Sequence, residues 1–423
     1  MAHVNLDIAT KPSKDVFSLG YMRLIRFLLN TLGQWPNRML GDESRLASWL
    51  LVYNYTALGI CTLCGFNLML YAKMNVKKLP FIDAGQCYTN LFLDMLYIQR
   101  STLSLQKKYC SVVKEFILKF HLMHHEDKNS FAAQEYRRIN KICKIGSIVY
   151  LVEVTCGILG YNLVPLYQNY NAGMFNEIKP ENKTFIHSIY FVLPFDYSTD
   201  TTGYFIVFCF NFIASYWVPS AMCYYDFFVF IILFHVSGHL NIVINTMINF
   251  PRLSGDVGKQ PKEIMEEYNK AAFIQLKDVI QHYQVIKEFM TEMGEALDFT
   301  LCTYLAFHQL MCCLLLLECS TLEPEAMVKY GMLTFYVFEQ CILMSVIFEH
   351  INVKSESLGD RVYSLPWEQM DVKNRKILLM LLRNVQNPLA LKAGGMVPVG
   401  VRTMSSIMRT SCSYFLFLKT FAD

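Results

Sequence analysis

Two long stretches of this chain contain no charged residue, and they restrict the possible folds more than any other feature. Residues 46–72 run for 27 positions without Asp, Glu, Lys or Arg, and residues 299–317 for 19. A bilayer core about 30 Å thick is crossed by about 20 such residues in a helix. Charged residues make up only 17% of the 423, too few to cover a soluble surface of this size. The sequence therefore predicts an all-α, polytopic membrane protein.

Seven segments are predicted as membrane-spanning helices. They cover residues 46–72, 81–104, 144–168, 203–234, 298–320, 328–350 and 401–421, and a shorter apolar helix is predicted at 375–385. The chain then divides into an N-terminal segment 1–45, spans one to four within 46–250, a segment 251–297, spans five and six within 298–350, a segment 351–400, and the last span within 401–423.

The Lys and Arg residues of the loops set the direction of these spans. The alternate segments 1–45, 100–144, 251–297 and 351–376 together carry 27 of them, whereas 73–80, 169–202 and 321–329 together carry 6. Because positively charged loops stay in the cytoplasm, we expect the N-terminus inside and the C-terminus outside. Rhodopsin-type receptors run the other way, so a G-protein-coupled receptor is the less favoured alternative. The sequon at Asn182 then lies outside, where glycosylation is possible.

The segment 251–297 predicts a long cytoplasmic helix. It begins at Pro261, a residue favoured in the first helical turn, and continues into the fifth span. Its apolar residues are spaced alternately by four and three: Ala272, Leu276, Val279, Tyr283, Ile286, Met290, Met293 and Leu297. A heptad seam of this kind packs either on helices of its own chain or on another subunit, and both alternatives stay open.

A histidine-rich stretch, HLMHHEDK at 121–128, raises the question of a metal site. If it is helical, His121, His124 and His125 share one face with two acidic residues beside them, so zinc is conceivable. Since no further ligand stands at a fixed second spacing, we expect no metal and no cofactor. The chain also lacks a nucleophile–base pair, a phosphate loop and a basic stripe, so we expect neither an enzyme nor a nucleic-acid-binding protein.

The last predicted span has one polar stripe. On a helical wheel, one side carries Arg402, Ser406, Arg409, Ser413 and Thr420. A spanning helix with such a stripe must face water or another polar helix. If several copies meet around an axis, the water between them is a pore, closed where bulky apolar side chains meet.

The last 75 or so residues contain a series of short motifs: Ser357-Leu358, Tyr363, Trp367, the basic-apolar run 375–379, Asn387-Pro388-Leu389, Lys392-Ala393-Gly394-Gly395, Ile407, Arg409-Thr410 and Ser413-Tyr414-Phe415. Together these motifs resemble the insect odorant receptor family. Related gustatory receptors are the alternative. Lys419 and Thr420 break the gustatory pattern and favour the odorant branch.

This resemblance implies a tetrameric, odorant-gated, nonselective cation channel, formed with a co-receptor in the plasma membrane of olfactory neuron dendrites. The loop between the fourth and fifth spans has about 50 residues, far fewer than in the co-receptor, which implies a ligand-tuning subunit. The resemblance places the pore constriction on Phe417 and Phe421, with Ser413 and Thr420 beside them. It places odorant contacts in the outer halves of spans two, three, four and six. The candidates there are Tyr88, Phe92, Glu153, Phe208, Phe212, Tyr216, Tyr336 and Glu339.

Overall fold

The computed structural model describes residues 15–75, 81–180, 183–253, 260–319 and 324–422, and this part of the chain is mostly helical. The helices are α1 (Gly20–Thr31), α2 (Arg45–Asn75), α3 (Phe81–Leu103), α4 (Lys107–Glu115), α5 (Ser130–Asn171), α6 (Thr201–Ile248), α7 (Pro261–Cys319), α8 (Pro324–Tyr363), α9 (Val372–Val385) and α10 (Val401–Ala422). A short antiparallel hairpin, β1 (Lys392–Ala393) and β2 (Val397–Pro398), lies between α9 and α10. The all-α prediction is confirmed.

Each of the seven predicted spans corresponds to one of these helices; the second extends one residue past the end of α3 at Leu103, and residue 320 of the fifth lies outside the described residues. Among the described residues, five helices are long and apolar enough to cross a membrane, and they are α2, α5, α6, α7 and α8. The other two, α3 with 23 residues and α10 with 22, have the required length. They are less apolar because α3 contains Asp94 and Arg100 and α10 contains Arg402 and Arg409. The additional helix predicted at 375–385 is α9.

The central helix is α6. Its residues 220–233 are all buried, and it packs against α3, α5, α7 and α8. Its one charged residue, Asp226, forms a buried ion pair with Arg100 of α3, with 2.7 Å between Oδ1 and Nη2 and side chains only 2% and 4% exposed. The Arg100 guanidinium also lies 5.9 Å from the ring centroid of Tyr304 in α7. The ion pair therefore ties three helices together.

One continuous helix of 59 residues, α7, joins the predicted cytoplasmic part to the bundle. Its start at Pro261 and its continuation into the fifth span are as predicted. The eight residues of its heptad seam are all buried, and the helix packs against α4, α6 and α9 of the same chain. Of the two alternatives for this seam, the structure shows packing within the chain.

The hairpin before α10 depends on two glycines. Gly394 and Gly395 have φ angles of +60° and +65°, a region that other residues rarely adopt. The Gly395 N–H donates a hydrogen bond to Asp298 Oδ1 of α7 at 2.7 Å. The first N–H of α10, that of Val401, donates to Glu349 Oε2 of α8 at 3.3 Å. These contacts fix the start of α10 against two other helices.

The stretch at 121–125 is not the regular helix on which a shared histidine face depends. A π-helix ends at residue 120, His121 has extended backbone angles, and a 3-10 turn follows at residues 122–124. The prediction that His121, His124 and His125 share one face is therefore wrong, because the chain turns at His121. The structure brings His121 and His125 into two separate clusters with histidines of other helices.

Candidate functional site

A cavity of about 350 Å³ lies between α2, α3, α5, α6 and α8. Most of its lining is apolar, which together with this volume is typical of a site for a small organic molecule. The polar residues that line it are Gln86, Asn90, Asp94, Glu153, Tyr161, Gln168, Ser215, Trp217 and Tyr336. The chain thus encloses an apolar space with a few polar groups on its walls.

Asp94 of α3 is the buried acid of this cavity. Its side chain is 4% exposed, and its Oδ2 atom has no hydrogen-bond partner within the described residues. Gly65 of α2 makes room for it, since a Cβ there would lie 2.4 Å from Asp94 Oδ2. A buried carboxyl without a partner is costly. A ligand that donates a hydrogen bond would remove that cost.

The loop between α5 and α6 forms a roof over the cavity, and two asparagine side chains hold it. Asn169 of α5 pairs with Ile186, donating to its carbonyl at 2.8 Å and accepting from its N–H at 2.9 Å. Asn67 of α2 pairs in the same way with Val192, at 2.9 and 2.8 Å. Each side-chain amide thus acts on the loop as a neighbouring strand would.

Pro165 of α5 provides a further attachment for the roof. Because proline has no N–H, the carbonyl of Tyr161 has no helical donor four residues later. The Ser188 hydroxyl donates to that carbonyl at 3.0 Å, and the Tyr161 hydroxyl donates to the Ser188 carbonyl at 2.7 Å. Ile189 and Phe191, the next apolar residues of the loop, line the cavity.

Of the eight candidate ligand contacts, Glu153 and Tyr336 line the cavity. Glu339 lies beside them, since its side chain interacts with that of Glu153. The Tyr336 hydroxyl in turn contacts the Cys223 sulfur of α6. These side chains of α5, α6 and α8 form one polar side of the cavity.

The five other candidates lie elsewhere in the structure. Tyr88 is exposed on the outside of α3. Phe92 packs in a small cluster of α3, α6, α7 and α8, and Phe208 packs in another near the start of α6. Phe212 and Tyr216 pack on the main hydrophobic core. None of the five lines the cavity as the described residues form it.

Three polar residues of α3 were not among the predicted ligand contacts, although their spacing in the sequence marks them. Gln86, Asn90 and Asp94 follow one another at intervals of four, so they form one polar stripe on α3. All three line the cavity. The stripe identifies the face of the second span that turns away from lipid.

The polar stripe of α10 faces away from its own chain. Its five residues, Arg402, Ser406, Arg409, Ser413 and Thr420, are all exposed, and so is Phe417 at 57%. On the opposite face, Ser411 Oγ accepts a hydrogen bond from Gln309 Nε2 of α7 at 3.1 Å. The Phe421 side chain and the predicted glycosylation site Asn182 lie outside the described residues.

The family model described as 7tm Odorant receptor matches residues 88–412 of this chain. The chain belongs to the 7tm odorant receptor family. The match begins within α3 and extends into α10. It confirms the prediction of a multi-pass membrane receptor that is not an enzyme, and it decides for the odorant branch over the gustatory alternative.

Individual relatives agree with this assignment. The chain is 20% identical to Odorant receptor 85c of Drosophila melanogaster over 408 residues, which is 95% of this chain and 99% of that receptor. It is 24% identical to Odorant receptor Or2 of Anopheles gambiae over 151 residues. That second alignment covers 35% of this chain and 39% of the length of Or2.

A solved odorant receptor shares the fold. The structure of the insect olfactory receptor OR5 from Machilis hrabei matches with a TM-score of 0.76 and 14% identity, over 94% of this chain and 97% of that one. The structure of OR5 in complex with eugenol matches with a TM-score of 0.75 and 13% identity, over 95% and 99%. At these identities the likeness shows the fold alone.

Proposed function

We propose that this odorant receptor is the ligand-tuning subunit of a heteromeric, odorant-gated, nonselective cation channel, formed with the family co-receptor in the dendritic plasma membrane of olfactory neurons. The observation that carries this proposal is the polar stripe of α10, five exposed polar side chains on a helix of spanning length. In a bilayer such a stripe is stable only against water or other polar groups. Copies of α10 around a central axis provide both, and cations pass between them.

The odorant binds in the cavity beneath the roof. The apolar lining favours a small, mainly apolar molecule. Among such molecules, the unpartnered carboxyl of Asp94 selects one that donates a hydrogen bond, such as an alcohol, a phenol or an amine. Glu153, Tyr336 and Glu339 supply further polar contacts. The solved complex of OR5 with eugenol supports ligand binding within this fold.

The partner subunit contacts the face of α9 that the chain leaves uncovered. Val372, Leu379 and Met380 are exposed there, and their spacing of seven and eight residues places them on one side of the helix. Beside them, a groove of about 630 Å³ runs between α7 and α9. Since the seam of α7 is already used within the chain, this apolar face is available for the subunit contact.

The distribution of Lys and Arg gives the direction of the subunit in the membrane. With the N-terminus and the segments 100–144, 251–297 and 351–376 inside, the roof over the cavity lies outside, where odorants arrive. Asn182 then faces the glycosylation machinery. The C-terminal end of α10, with Phe417 and Phe421, forms the outer constriction of the pore.

The proposal is tested by whole-cell currents from cells that carry this chain with the family co-receptor. A panel of volatile alcohols, phenols and amines is applied while G-protein signalling is blocked. A fast cation current that needs both subunits is the expected result. A response that disappears under the block would contradict the proposal of an odorant-gated channel and favour the G-protein-coupled receptor instead. Comparing the currents evoked by these hydrogen-bond donors with those evoked by their methylated analogues also identifies the ligand class.

Replacing Phe417 with alanine, alone and together with Phe421→Ala, is expected to raise the basal current or change the relative cation permeability. Shortening the side chains at a hydrophobic constriction lowers the barrier to wetting. Phe415→Ala is the matched control, because Phe415 has the same side chain but lies about 160° around the helix from Phe417, on the side where Ser411 contacts α7. Equal behaviour of the two variants would refute the constriction at Phe417.

Replacing Asp94 with asparagine or leucine is expected to lower the potency of a donor-bearing odorant by about tenfold or more, since a hydrogen bond to a charged group contributes about 1.5–3 kcal/mol. The potency of an analogue whose donor is methylated should change little. Dose–response curves of both ligands are compared with those of Met95→Leu, a change at the neighbouring exposed residue. Equal losses for both ligands would show that Asp94 does not recognise the donor.

A further inference from the structure

Three histidines from different parts of the chain meet below the bundle. His125 follows the turn at 121–124, His239 belongs to the end of α6, and His282 belongs to α7. One ring nitrogen of each lies within 4.8 Å of the others. His239 and His282 are buried, and His125 is partly buried at the edge of the cluster. This arrangement is independent of the odorant cavity and of α10.

Backbone carbonyls fix the orientation of two of the rings. His239 Nε2 faces the carbonyl of Phe120 at 2.6 Å, and His125 Nε2 faces that of Lys119 at 3.1 Å. A carbonyl only accepts, so both Nε2 atoms carry the proton and both Nδ1 atoms are acceptors. Protein metal sites commonly orient their histidines through carbonyls in this way.

The two Nδ1 acceptor atoms differ in their hydrogen-bond partners. His125 Nδ1 is buried and has no hydrogen-bond partner within the described residues. His239 Nδ1 accepts a hydrogen bond from His282 Nε2 at 2.9 Å. The cluster therefore contains one unpartnered and one partnered acceptor nitrogen.

The neighbouring histidine cluster shows what a purely structural arrangement looks like. There the Tyr21 hydroxyl lies 2.7 Å from His121 Nε2 and 3.2 Å from His235 Nε2. The two Nδ1 atoms accept hydrogen bonds from the N–H groups of Met123 and Leu122. Every ring nitrogen of that cluster is paired, whereas His125 in the first cluster is not.

We propose that His125, His239 and His282 bind a divalent transition-metal ion, Zn²⁺ in the first place. Three neutral imidazoles are typical ligands of Zn²⁺ and its neighbours in the first row, and not of Mg²⁺ or Ca²⁺. Tetrahedral zinc with Zn–N bonds of 2.0–2.1 Å separates its ligand nitrogens by about 3.3 Å. The 2.9 Å pair and the His125 nitrogen reach that spacing by side-chain shifts of about 1 Å.

Binding requires a change of tautomer at one ring. The proton on His282 Nε2 moves to Nδ1 of the same ring, and Nε2 becomes a ligand, so the charge of the protein is unchanged. The fourth position of the metal is taken by water. The bound ion then joins the 116–129 segment, α6 and α7 at one point.

Lys128 gives the site a feature that can be tested. Its ammonium group acts electrostatically on all three histidines. A positive charge there opposes a divalent cation. Lys128→Gln is therefore expected to bind the metal several-fold more tightly than the unmodified receptor.

The test uses the full-length receptor, purified in detergent with a tag free of histidine and treated with a chelator. Metal content after dialysis against micromolar Zn²⁺ and the visible absorption of bound Co²⁺ are measured, together with the thermal unfolding temperature. We expect one metal ion per chain and a higher unfolding temperature with Zn²⁺. His125→Ala should weaken binding by about tenfold or more.

His124→Ala is the matched control, because His124 is the neighbouring residue and also faces a backbone carbonyl, that of Ile117 at 2.9 Å. It should keep the metal. Substoichiometric uptake by the unmodified receptor, or equal binding by His125→Ala, would overturn the proposal. If His125→Ala does not fold, the Lys128→Gln measurement decides, and an affinity that is unchanged or lower would count against the site.

Discussion

Replacing Asp226 with leucine is expected to lower the free energy of unfolding by about 3–5 kcal/mol, because it leaves a buried charge without its partner. The partner, Arg100, is 4% exposed and has no second acidic group in the described part of the chain. Arg100→Leu should cost a similar amount by leaving the carboxylate alone. The double variant should recover most of the loss, since leucines can replace a buried ion pair at little cost. Thermal unfolding of the purified receptor and its yield in membranes measure these effects.

An exposed ion pair of the same receptor provides the control. Lys108 of α4 and Glu295 of α7 lie 2.9 Å apart, but their side chains are 68% and 59% exposed. Glu295→Gln should change the stability by no more than about 0.5–1 kcal/mol. If Asp226→Leu lowered the stability no more than Glu295→Gln, the ion pair between Arg100 and Asp226 would not be what holds these helices together.

Filling the cavity is expected to abolish odorant-evoked current without removing the receptor from the cell surface. Ala214 of α6 lines the cavity, and the side chain of tryptophan at this position would project into the 350 Å³ space. Because the space is open, the larger side chain displaces ligand and strains the core less than overpacking would. Potency should fall by about a hundredfold or more, equivalent to about 2.7 kcal/mol of lost binding. Dose–response currents and surface biotinylation are measured together.

The adjacent residue makes a matched control for this change. Ile213 precedes Ala214 on α6 but is exposed on the outside of the helix. Ile213→Trp adds an aromatic ring of the same size to the lipid-facing side and should leave the response intact. A normal response of Ala214→Trp, or equal loss in both variants, would show that odorants do not bind in this cavity.

Hydropathy and the residues that mark helix ends predicted most of the fold. Apolar length marked the seven spans, and Pro261 marked the start of α7 because proline suits a first helical turn. The seam of α7 was found by its spacing, but its partner was not, since a heptad pattern is the same for a helix of the chain and for one of a neighbour. Only the buried environment of the seam decides between them.

The cavity was harder to predict because helix rotation depends on neighbouring helices. Phe208, Phe212 and Tyr216 were candidates because they lie in the outer half of the fourth span, where the family resemblance implies odorant contacts. In the structure they pack on other side chains, and Ala214 and Ser215 line the cavity instead. Aromatic residues occur on all sides of α6, so their positions carry little information on rotation. The polar stripe of α3 was more informative.

The histidine cluster shows a second limit of prediction from the sequence. His125, His239 and His282 are far apart in the sequence, and no spacing relates them. They meet because a π-helix and a turn interrupt the segment at 116–124. Irregular backbone of this kind leaves no periodic signal, so only the three-dimensional structure brings the ligands together.

The uninterrupted length of α7 has a mechanical consequence. At 1.5 Å per residue its 59 residues form a rod about 88 Å long. Such a rod cannot bend sharply without a break in its hydrogen bonding, so a tilt of about 3° around its middle moves each end by about 2 Å. A small shift of the end of α7 that lies in the bundle would therefore arrive at the other end of the helix as a displacement of the same size. Substitutions that repack this helix within the bundle would for this reason also move the part of the receptor around Pro261.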